Sequence, residues 1–257
     1  MHLLAAAQPY LPLALLVFLA GFVDSIAGGG GLITLPAYLA HGLPPSLLLG
    51  TNKLSSCMGT SVAAAKFLKE TRFGADFLFI LVVLAAAGSL LGAKAISLVP
   101  PETIRLLLLV LLPPVAVFLG ARKSFGLADT SARHSENALL GRSGSISFGV
   151  SFYDGLLGPG TGTFLAVAFA RLCGFDLLRS TALAKLLNLV SNAAALAAFL
   201  WFGMVNVKLG LAMGVAGMAG NYAGSHVALK RGAWVIRPTL FAVSAALLAK
   251  IAWDMFR

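Results

Sequence analysis

Two aspartates of this chain lie inside apolar segments, a few residues ahead of glycine-rich stretches. Asp24 is followed by four successive glycines at 28–31, and Asp154 is followed by GPGTGT at 158–163. A carboxylate at membrane depth costs about 2.5–3.5 kcal/mol on insertion scales, so it is rare there without a role. The two positions therefore predict either a carboxylate that couples or gates the movement of an ion, or one that caps and bridges a bend of the chain.

Two lysines occupy matching places in the next apolar segments. Lys53 follows two polar residues at what reads as the start of a helix, from which its ammonium group can extend to the membrane interface. Lys185 lies deeper, and Asn188 and Asn192 continue a polar stripe from it at i, i+3 and i+7. The lysines are candidates for contact with an anion, with interhelical hydrogen bonding as the alternative; for the asparagines alone, helix–helix contact is favoured.

The glycine stretches can also contribute to a site. Helices that start after Gly31 and Gly162 would direct their positive ends, and their free backbone N–H groups, toward an anion. The alternative is that these glycines only permit tight packing. Neither stretch is followed by the GK[ST] of a nucleotide phosphate loop, so both are weak matches to that class of site.

The composition restricts the protein to one broad class. Hydrophobic residues make up 59% of the 257 residues and charged residues only 11%, whereas soluble proteins carry roughly 25% charged residues. The chain is therefore expected to be an integral membrane protein with many spans. The formal charge of +10 lies in short loops rather than in a basic stripe, which argues against nucleic-acid binding. The four histidines are dispersed without a metal-ligand or nucleophile–base pattern, which argues against an enzyme.

The chain is duplicated. One alignment of the second half on the first pairs Lys53 with Lys185 and Phe67 with Phe199, and extends to the glycines of AGSLLGA and AGNYAGS. Upstream, after a slip of two residues, Asp24 falls on Asp154. The repeated glycines form small-xxx-small faces, at which helix backbones can approach each other closely.

Each half contains five apolar segments. They are predicted at 8–27, 31–41, 53–68, 76–98 and 102–120, and at 138–157, 162–174, 181–201, 207–229 and 234–255. The second segment of each half is too short to cross a hydrocarbon core of about 30 Å, because a helix rises about 1.5 Å per residue. The first two segments of each half are therefore predicted to form a broken-helix hairpin, followed by three transmembrane helices.

Loop charges predict the orientation of the halves. The loops at 66–72, 122–142 and 229–238 are rich in Lys and Arg, whereas those near Pro101 and Gly203 have none, so the rich loops are expected to be cytoplasmic. Equivalent loops of the two halves then lie on opposite sides. The predicted fold is an all-α polytopic membrane protein of two inverted-topology repeats, 1–121 and 144–257, joined by a cytoplasmic linker at 122–143. Inverted repeats with interrupted helices are typical of secondary transporters that bind cargo at the bilayer midplane.

These motifs resemble the TauE/SafE family of sulfite exporters, also called the four-toluene-sulfonate uptake family. The resemblance rests on GFVDSIAGGGGLITLP and GLPPSLLLGTNKLSS in the first half, and on GVSFYDGLLGPGTGTF and ALAKLLNLVSN in the second. It extends over essentially the whole chain. It implies a multi-pass carrier in the bacterial inner membrane, for a small sulfur oxyanion or organosulfonate such as sulfite, with a site built by the glycine-rich hairpins.

Residues and resemblance together give a set of candidate site residues. Asp24 and Asp154 are expected to couple an ion, a proton or sodium, or to gate the pathway. Residues expected to bind substrate are Ser25, Gly28, Gly29, Gly30, Gly31, Thr51, Asn52, Lys53, Gly158, Pro159, Gly160, Thr161, Gly162, Thr163, Lys185 and Asn188. The expected partners are a small anion and the lipid bilayer, with no cofactor and no metal. The alternative is a carrier or channel for a different small ion, with the two aspartates as a cation site.

Overall fold

The computed structural model describes residues 10–104, 106–107, 110 and 128–231. Within these residues the chain forms helices and turns, and no strand. The helices are α1 (Leu11–Ala27), α2 (Gly31–Ala40), α3 (Pro45–Lys69), α4 (Ala75–Ser97), α5 (Glu136–Leu156), α6 (Thr161–Leu172), α7 (Leu177–Trp201) and α8 (Val207–Arg231), with a 3-10 turn at Ser131–Arg133 before α5. The segments predicted at 102–120 and 234–255 lie largely or wholly outside the described residues.

Two pairs of consecutive helices, α1–α2 and α5–α6, form hairpins. In each hairpin the second helix ends close to the point at which the first helix begins. Tyr10, just before α1, has its ring 5.2 Å from that of His41, just after α2. In the second half, the guanidinium of Arg142 near the start of α5 donates a hydrogen bond of 2.9 Å to the carbonyl of Leu172 at the end of α6. The short second helices, α2 and α6, therefore run back along their partners rather than onward through the protein.

The helices α3 and α7 cross the centre of the protein in opposite directions. A Cβ built at Gly50, near the start of α3, would lie 3.0 Å from the Cβ of Phe199, near the end of α7. At the other end of the protein, Phe73 follows α3 and packs edge-on against Phe175, which precedes α7, at 6.1 Å between ring centroids. Because each hairpin adjoins the start of its own central helix, the α1–α2 and α5–α6 hairpins enter from opposite ends.

Glycines bring helices of the two halves into contact. The helix α1 packs on α8 and α5 packs on α4, and each of these pairs joins one half to the other. A Cβ at Gly220 would overlap the carbonyl oxygen of Phe18, and a Cβ at Gly92 would overlap that of Phe152. The small-xxx-small faces seen in the sequence therefore lie at these two interfaces, where backbones approach too closely for any larger residue.

The surface of the protein is apolar and much of its interior is polar. Large apolar side chains are exposed along the outer helices, including Leu15 on α1, Val83 on α4 and Val215 on α8. Hydroxyl, amide and ammonium groups are buried on α3 and α7. Among the described helices, α4 and α7 have the length and hydropathy of membrane spans, with mean hydropathies of 2.2 and 1.6. Such an arrangement suits a hydrocarbon solvent, which cannot hydrate polar groups.

One helix starts well before its predicted segment, and another starts close to its predicted segment but inside the stretch predicted as linker. The helix α3 begins at Pro45 rather than near residue 53, because proline is well suited to the first turn of a helix. Its first turn buries Leu48 and Leu49, but a run of buried polar residues (Thr51, Asn52 and Lys53) separates them from the apolar segment that follows, so the apolar pattern begins too late. The helix α5 begins at Glu136, within the stretch predicted as linker, where the side chain of Ser135 caps it by accepting a hydrogen bond of 3.4 Å from the N–H of Ala138.

Candidate functional site

The bends of the two hairpins meet in the interior of the protein. Gly28 has φ 74° and ψ 160°, and Gly160 has φ 82°. Residues with a Cβ rarely adopt these backbone conformations. A Cβ at Gly28 would lie 2.6 Å from the carbonyl carbon of Gly162. The hydroxyl of Thr163 donates a hydrogen bond of 2.6 Å to the carbonyl of Ala27 and so joins the two bends directly. The glycine stretches predicted as bends thus pack against each other, backbone to backbone.

A buried ion pair joins the second hairpin to α3. The ammonium nitrogen of Lys53 lies 2.7 Å from Oδ2 of Asp154, and the two side chains are 3% and 2% exposed. The hydroxyl of Ser191 on α7 donates a second hydrogen bond, of 2.7 Å, to the same oxygen. The expectation that Lys53 extends to an interface was wrong, because the early start of α3 places this lysine two turns inside the helix, facing the bend.

A second ion pair joins the first hairpin to α7. The ammonium nitrogen of Lys185 lies 3.2 Å from Oδ2 of Asp24, and it also donates to the main-chain carbonyl of Asp24. The N–H of Gly30 donates a hydrogen bond of 3.1 Å to Oδ1 of Asp24. The side chain of Asp24 is 14% exposed, against 2% for Lys185, so this pair is more open than the first. Each lysine is thus paired with the aspartate of the opposite half.

A polar cavity of about 40 Å³ lies beside these pairs. A volume of about 10–15 Å³ holds one water, so the cavity has room for a few waters or one small anion. The starts of α2 and α6 face it through Gly31 and Gly162, whose N–H groups donate no hydrogen bond within the described part of the chain. Two helix N-termini and two buried ion pairs therefore converge on one small polar space.

Most of the predicted site residues line this cavity. They are Asp24, Gly29, Gly30, Gly31, Asn52, Lys53, Asp154, Gly158, Gly160, Thr161, Gly162 and Asn188. Its wall also contains polar residues that the prediction did not include, namely Thr34, Ser55, Ser56, Thr60, Asn192 and Asn221. Asn192 belongs to the stripe seen in the sequence, and its side-chain nitrogen donates to Oδ1 of Asn188 at 3.2 Å. For Asn221, the sequence offered one indication of a site, namely an amide side chain within a helix of small residues.

The remaining predicted site residues lie outside the cavity. The hydroxyl of Ser25 donates to the carbonyl of Phe22 within α1, and the hydroxyl of Thr51 accepts a hydrogen bond from the N–H of Asn206 ahead of α8. The carbonyl of Pro159 accepts a hydrogen bond from the hydroxyl of Tyr153. Three others line a smaller space of about 10 Å³ beyond the contact between the bends: Gly28, Thr163 and Lys185.

The chemistry of the site is that of charge and hydrogen bonding. Among the described residues there is no group of three or more His, Cys, Asp or Glu side chains that could hold a metal ion. The cavity instead offers backbone N–H donors, amide groups, hydroxyls and the ammonium group of Lys53. Ammonium groups and free N–H groups can bind an oxyanion through charge-assisted hydrogen bonds.

Comparisons with known proteins agree over nearly the whole chain. The model of a family described as "Sulfite exporter TauE/SafE" matches residues 13–251. A probable membrane transporter protein of Sinorhizobium, ORF9, is 39% identical over 237 residues, which cover 92% of this chain and 90% of that protein. The probable membrane transporter protein YfcA of Escherichia coli K12 is 37% identical, over 92% of this chain and 87% of its own length. A probable membrane transporter protein of Haemophilus influenzae is 35% identical, over 92% of each chain. No solved structure matches the chain.

Proposed function

Because this chain belongs to the TauE/SafE sulfite exporter family, whose members are membrane transporters and not enzymes, we propose that it is a secondary carrier of a small sulfur-containing anion. Membrane transport follows from the family itself. The cargo class, such as sulfite or an organosulfonate, export as the direction, and a bacterial inner membrane as the location are the parts that we propose.

The observation that carries the proposal is the pairing of two buried lysines with the two aspartates that line the cavity. A lysine buried without a counter-ion is costly, and removing one partner of a buried pair typically costs about 3–5 kcal/mol. Lys53 and Lys185 are both at least 97% buried, so each needs a negative partner at every stage. An anion that enters the cavity can take the place of a carboxylate beside one lysine, and the ion pair can then open without leaving that lysine unpaired.

The arrangement of the hairpins supports alternating access. Asp24 ties the first hairpin to α7, and Asp154 ties the second hairpin to α3. Because α3 and α7 run in opposite directions and the hairpins enter from opposite ends, the halves act as inverted repeats around the cavity. Exchange of an aspartate for the anion releases one hairpin at a time, which opens the cavity toward one side. From the charges of the loops, we propose that the linker at 122–143 lies in the cytoplasm.

The coupling ion is assigned to Asp24. Its carboxylate is the more exposed of the two and loses a cationic partner when Lys185 turns to the cargo. A proton or sodium ion bound there would compensate the negative charge. The alternative function, a carrier of a cation bound by both aspartates, is less well supported because each carboxylate already has a lysine as its partner.

Transport by the purified protein in proteoliposomes tests the proposal. We expect saturable flux of radiolabelled sulfite that Lys185→Ala reduces at least tenfold, while Lys94→Ala, which removes an exposed lysine on α4, leaves it unchanged. Asp154→Asn is expected to impair flux as well. Normal flux in both Lys185→Ala and Asp154→Asn would remove these residues from the mechanism. A change of flux on imposing a proton or sodium gradient identifies the coupling ion.

A further inference from the structure

Asn221 belongs to the wall of the cavity, and its amide oxygen is a buried hydrogen-bond acceptor without a partner in the described part of the chain. This residue lies on α8, is 4% exposed and lines the cavity. Its side-chain nitrogen donates a hydrogen bond of 3.0 Å to the carbonyl of Gly217, which fixes the orientation of the amide because that carbonyl can only accept. Its Oδ1 has no hydrogen-bond partner in the part of the chain that the structure describes. A buried acceptor without a partner is unfavourable, so this oxygen is suited to a ligand that supplies a donor.

Two glycines make room for this amide. A Cβ at Gly59 would lie 2.5 Å from the side-chain nitrogen of Asn221, and a Cβ at Gly21 would lie 2.8 Å from it. Gly59 is on α3 and Gly21 is on α1, one turn before Asp24. Side chains larger than glycine at either place would displace the amide. The asparagine and both glycines therefore form one arrangement at the wall of the cavity.

The matching place in the first half is built differently. In the repeat alignment, Asn221 corresponds to Ser89 and Gly59 to Ser191. The hydroxyl of Ser89 donates to the carbonyl of Ser191 at 2.5 Å, and the hydroxyl of Ser191 donates to Asp154. Both hydroxyls are thus used inside the protein, and neither residue lines the cavity. Among the described residues, one other buried side-chain atom is without a hydrogen-bond partner, the hydroxyl oxygen of Ser151 on α5, and that residue does not line the cavity.

We propose that Oδ1 of Asn221 accepts a hydrogen bond from the cargo, and that the carrier selects small anions bearing an O–H or N–H donor. This inference rests on the proposed function. The negatively charged oxygens of the cargo meet the N–H groups of Gly31 and Gly162, while its donor meets Asn221. Sites built to hydrogen-bond one group reject analogues that lack it, because the protein group is then left buried without a partner. A monoanion that carries an O–H group fits this pattern, as does a hydroxy- or aminosulfonate. A fully deprotonated dianion or an alkylsulfonate has no such donor and does not fit.

Hydroxymethanesulfonate and methanesulfonate form a suitable pair of probes, since they share the sulfonate and differ by one hydroxyl. Isothermal titration of the purified full-length protein is expected to give at least a tenfold lower Kd for the hydroxylated anion. Asn221→Leu, which keeps a side chain of similar size, should abolish this preference and leave the affinity for methanesulfonate within about twofold. Ser89→Ala, at the matching position, should keep the preference.

The outcomes separate the two claims. Equal affinities of the unaltered protein for the two probes would overturn the role of Asn221, and this measurement does not depend on how well the variant folds. A preference for the hydroxylated probe that survives in folded Asn221→Leu would also overturn this role, because the preference would then not depend on the amide of Asn221. Failure to bind or transport any small anion would instead count against the proposed function.

Discussion

The ammonium nitrogen of Lys53 lies 2.7 Å from a carboxylate oxygen of Asp154, although these residues belong to opposite halves of the chain. Lys185 and Asp24 make the reciprocal pair at 3.2 Å. The two pairs are not equivalent, because the side chain of Asp154 is 2% exposed whereas that of Asp24 is 14% exposed. This difference leads to the first prediction.

Asp154→Asn is expected to lower the free energy of unfolding by about 3–5 kcal/mol, because Lys53 would be left buried without a counter-ion. Asp24→Asn is expected to cost less, since Lys185 keeps the main-chain carbonyl of Asp24 as an acceptor and the site is partly exposed. Chemical denaturation of the detergent-solubilised variants measures the difference.

The matched control for this prediction is the double variant Lys53→Met/Asp154→Leu. Replacing both charges by apolar groups of similar size removes the unpaired charge, so much of the lost stability should return. Transport should remain impaired, because the cavity has lost a cation. A double variant as unstable as Asp154→Asn would contradict the ion pair as the cause.

Gly28→Ala is expected to destabilise the protein more than Gly42→Ala. Both glycines have a positive φ, 74° and 86°, so each substitution carries a backbone cost of about 1–2 kcal/mol. Only at Gly28 would the new Cβ also collide with the opposite bend, at Gly162 and Thr163, whereas nothing lies within 4 Å at Gly42. Melting temperatures of the two variants test this, and equal losses would argue against the contact between the bends.

Val83→Lys, in the middle of α4, is expected to reduce the yield of membrane-integrated protein. Val83 is 48% exposed on the apolar surface, where lipid is expected, and a lysine at the centre of a membrane helix costs about 2.5–3.5 kcal/mol. Leu98→Lys, just after the end of α4 and 78% exposed, should be tolerated because its ammonium group can reach the interface. The yields of the two variants in membrane fractions test this expectation. If Val83→Lys is tolerated as well as Leu98→Lys, α4 does not face lipid at Val83.

The contact of the linker with the α6–α7 loop is expected to weaken only in acid. Burial alone would raise the pKa of Asp129, but hydrogen bonds from Ser131 and the guanidinium of Arg179 at 2.7 Å lower it below its ordinary value. A lowered folded-state pKa gives stability that is present above about pH 4 and is lost as the pH falls through the folded-state value.

Hydrogen exchange of the Thr130 N–H, which is bonded to the carbonyl of Gly174 at 2.7 Å, reports this contact. Asp129→Asn should speed exchange at neutral pH by a small factor, consistent with at most about 1 kcal/mol for a partly exposed pair. The difference from the unaltered protein should vanish below the folded-state pKa of Asp129. If the difference in exchange rate between Asp129→Asn and the unaltered protein does not change with pH, the Ser131 turn rather than the charge of Asp129 holds this contact.

Much of the fold follows from local features of the sequence. Clustered glycines after Asp24 and Asp154 indicate the bends, because only glycine adopts the required backbone conformation there. The short apolar runs indicate hairpins, and most helices lie within a few residues of their predicted positions. The start of α3 was missed because its second turn buries polar groups, which interrupt the apolar pattern.

The partners of the charged residues could not be predicted in the same way. The repeat places each lysine after the aspartate of its own half, yet each pairs with the aspartate of the other half. This crossing depends on how the hairpins pack against α3 and α7, over separations that no local pattern encodes. Asn221 was missed for a related reason, since only the structure shows that Gly21 and Gly59 make room for its side-chain nitrogen and that its Oδ1 has no partner among the described residues.

The hydrogen bond from Thr163 to Ala27 has a mechanical consequence. With the bends of the two hairpins joined at the centre, displacement of one hairpin pushes or pulls the other. In the proposed carrier, opening toward one face of the bilayer would then be accompanied by closure toward the other, and no continuous pore would form. Cutting this joint with Thr163→Val would allow the hairpins to move separately, and the visible result would be a passive ion leak through an otherwise intact carrier.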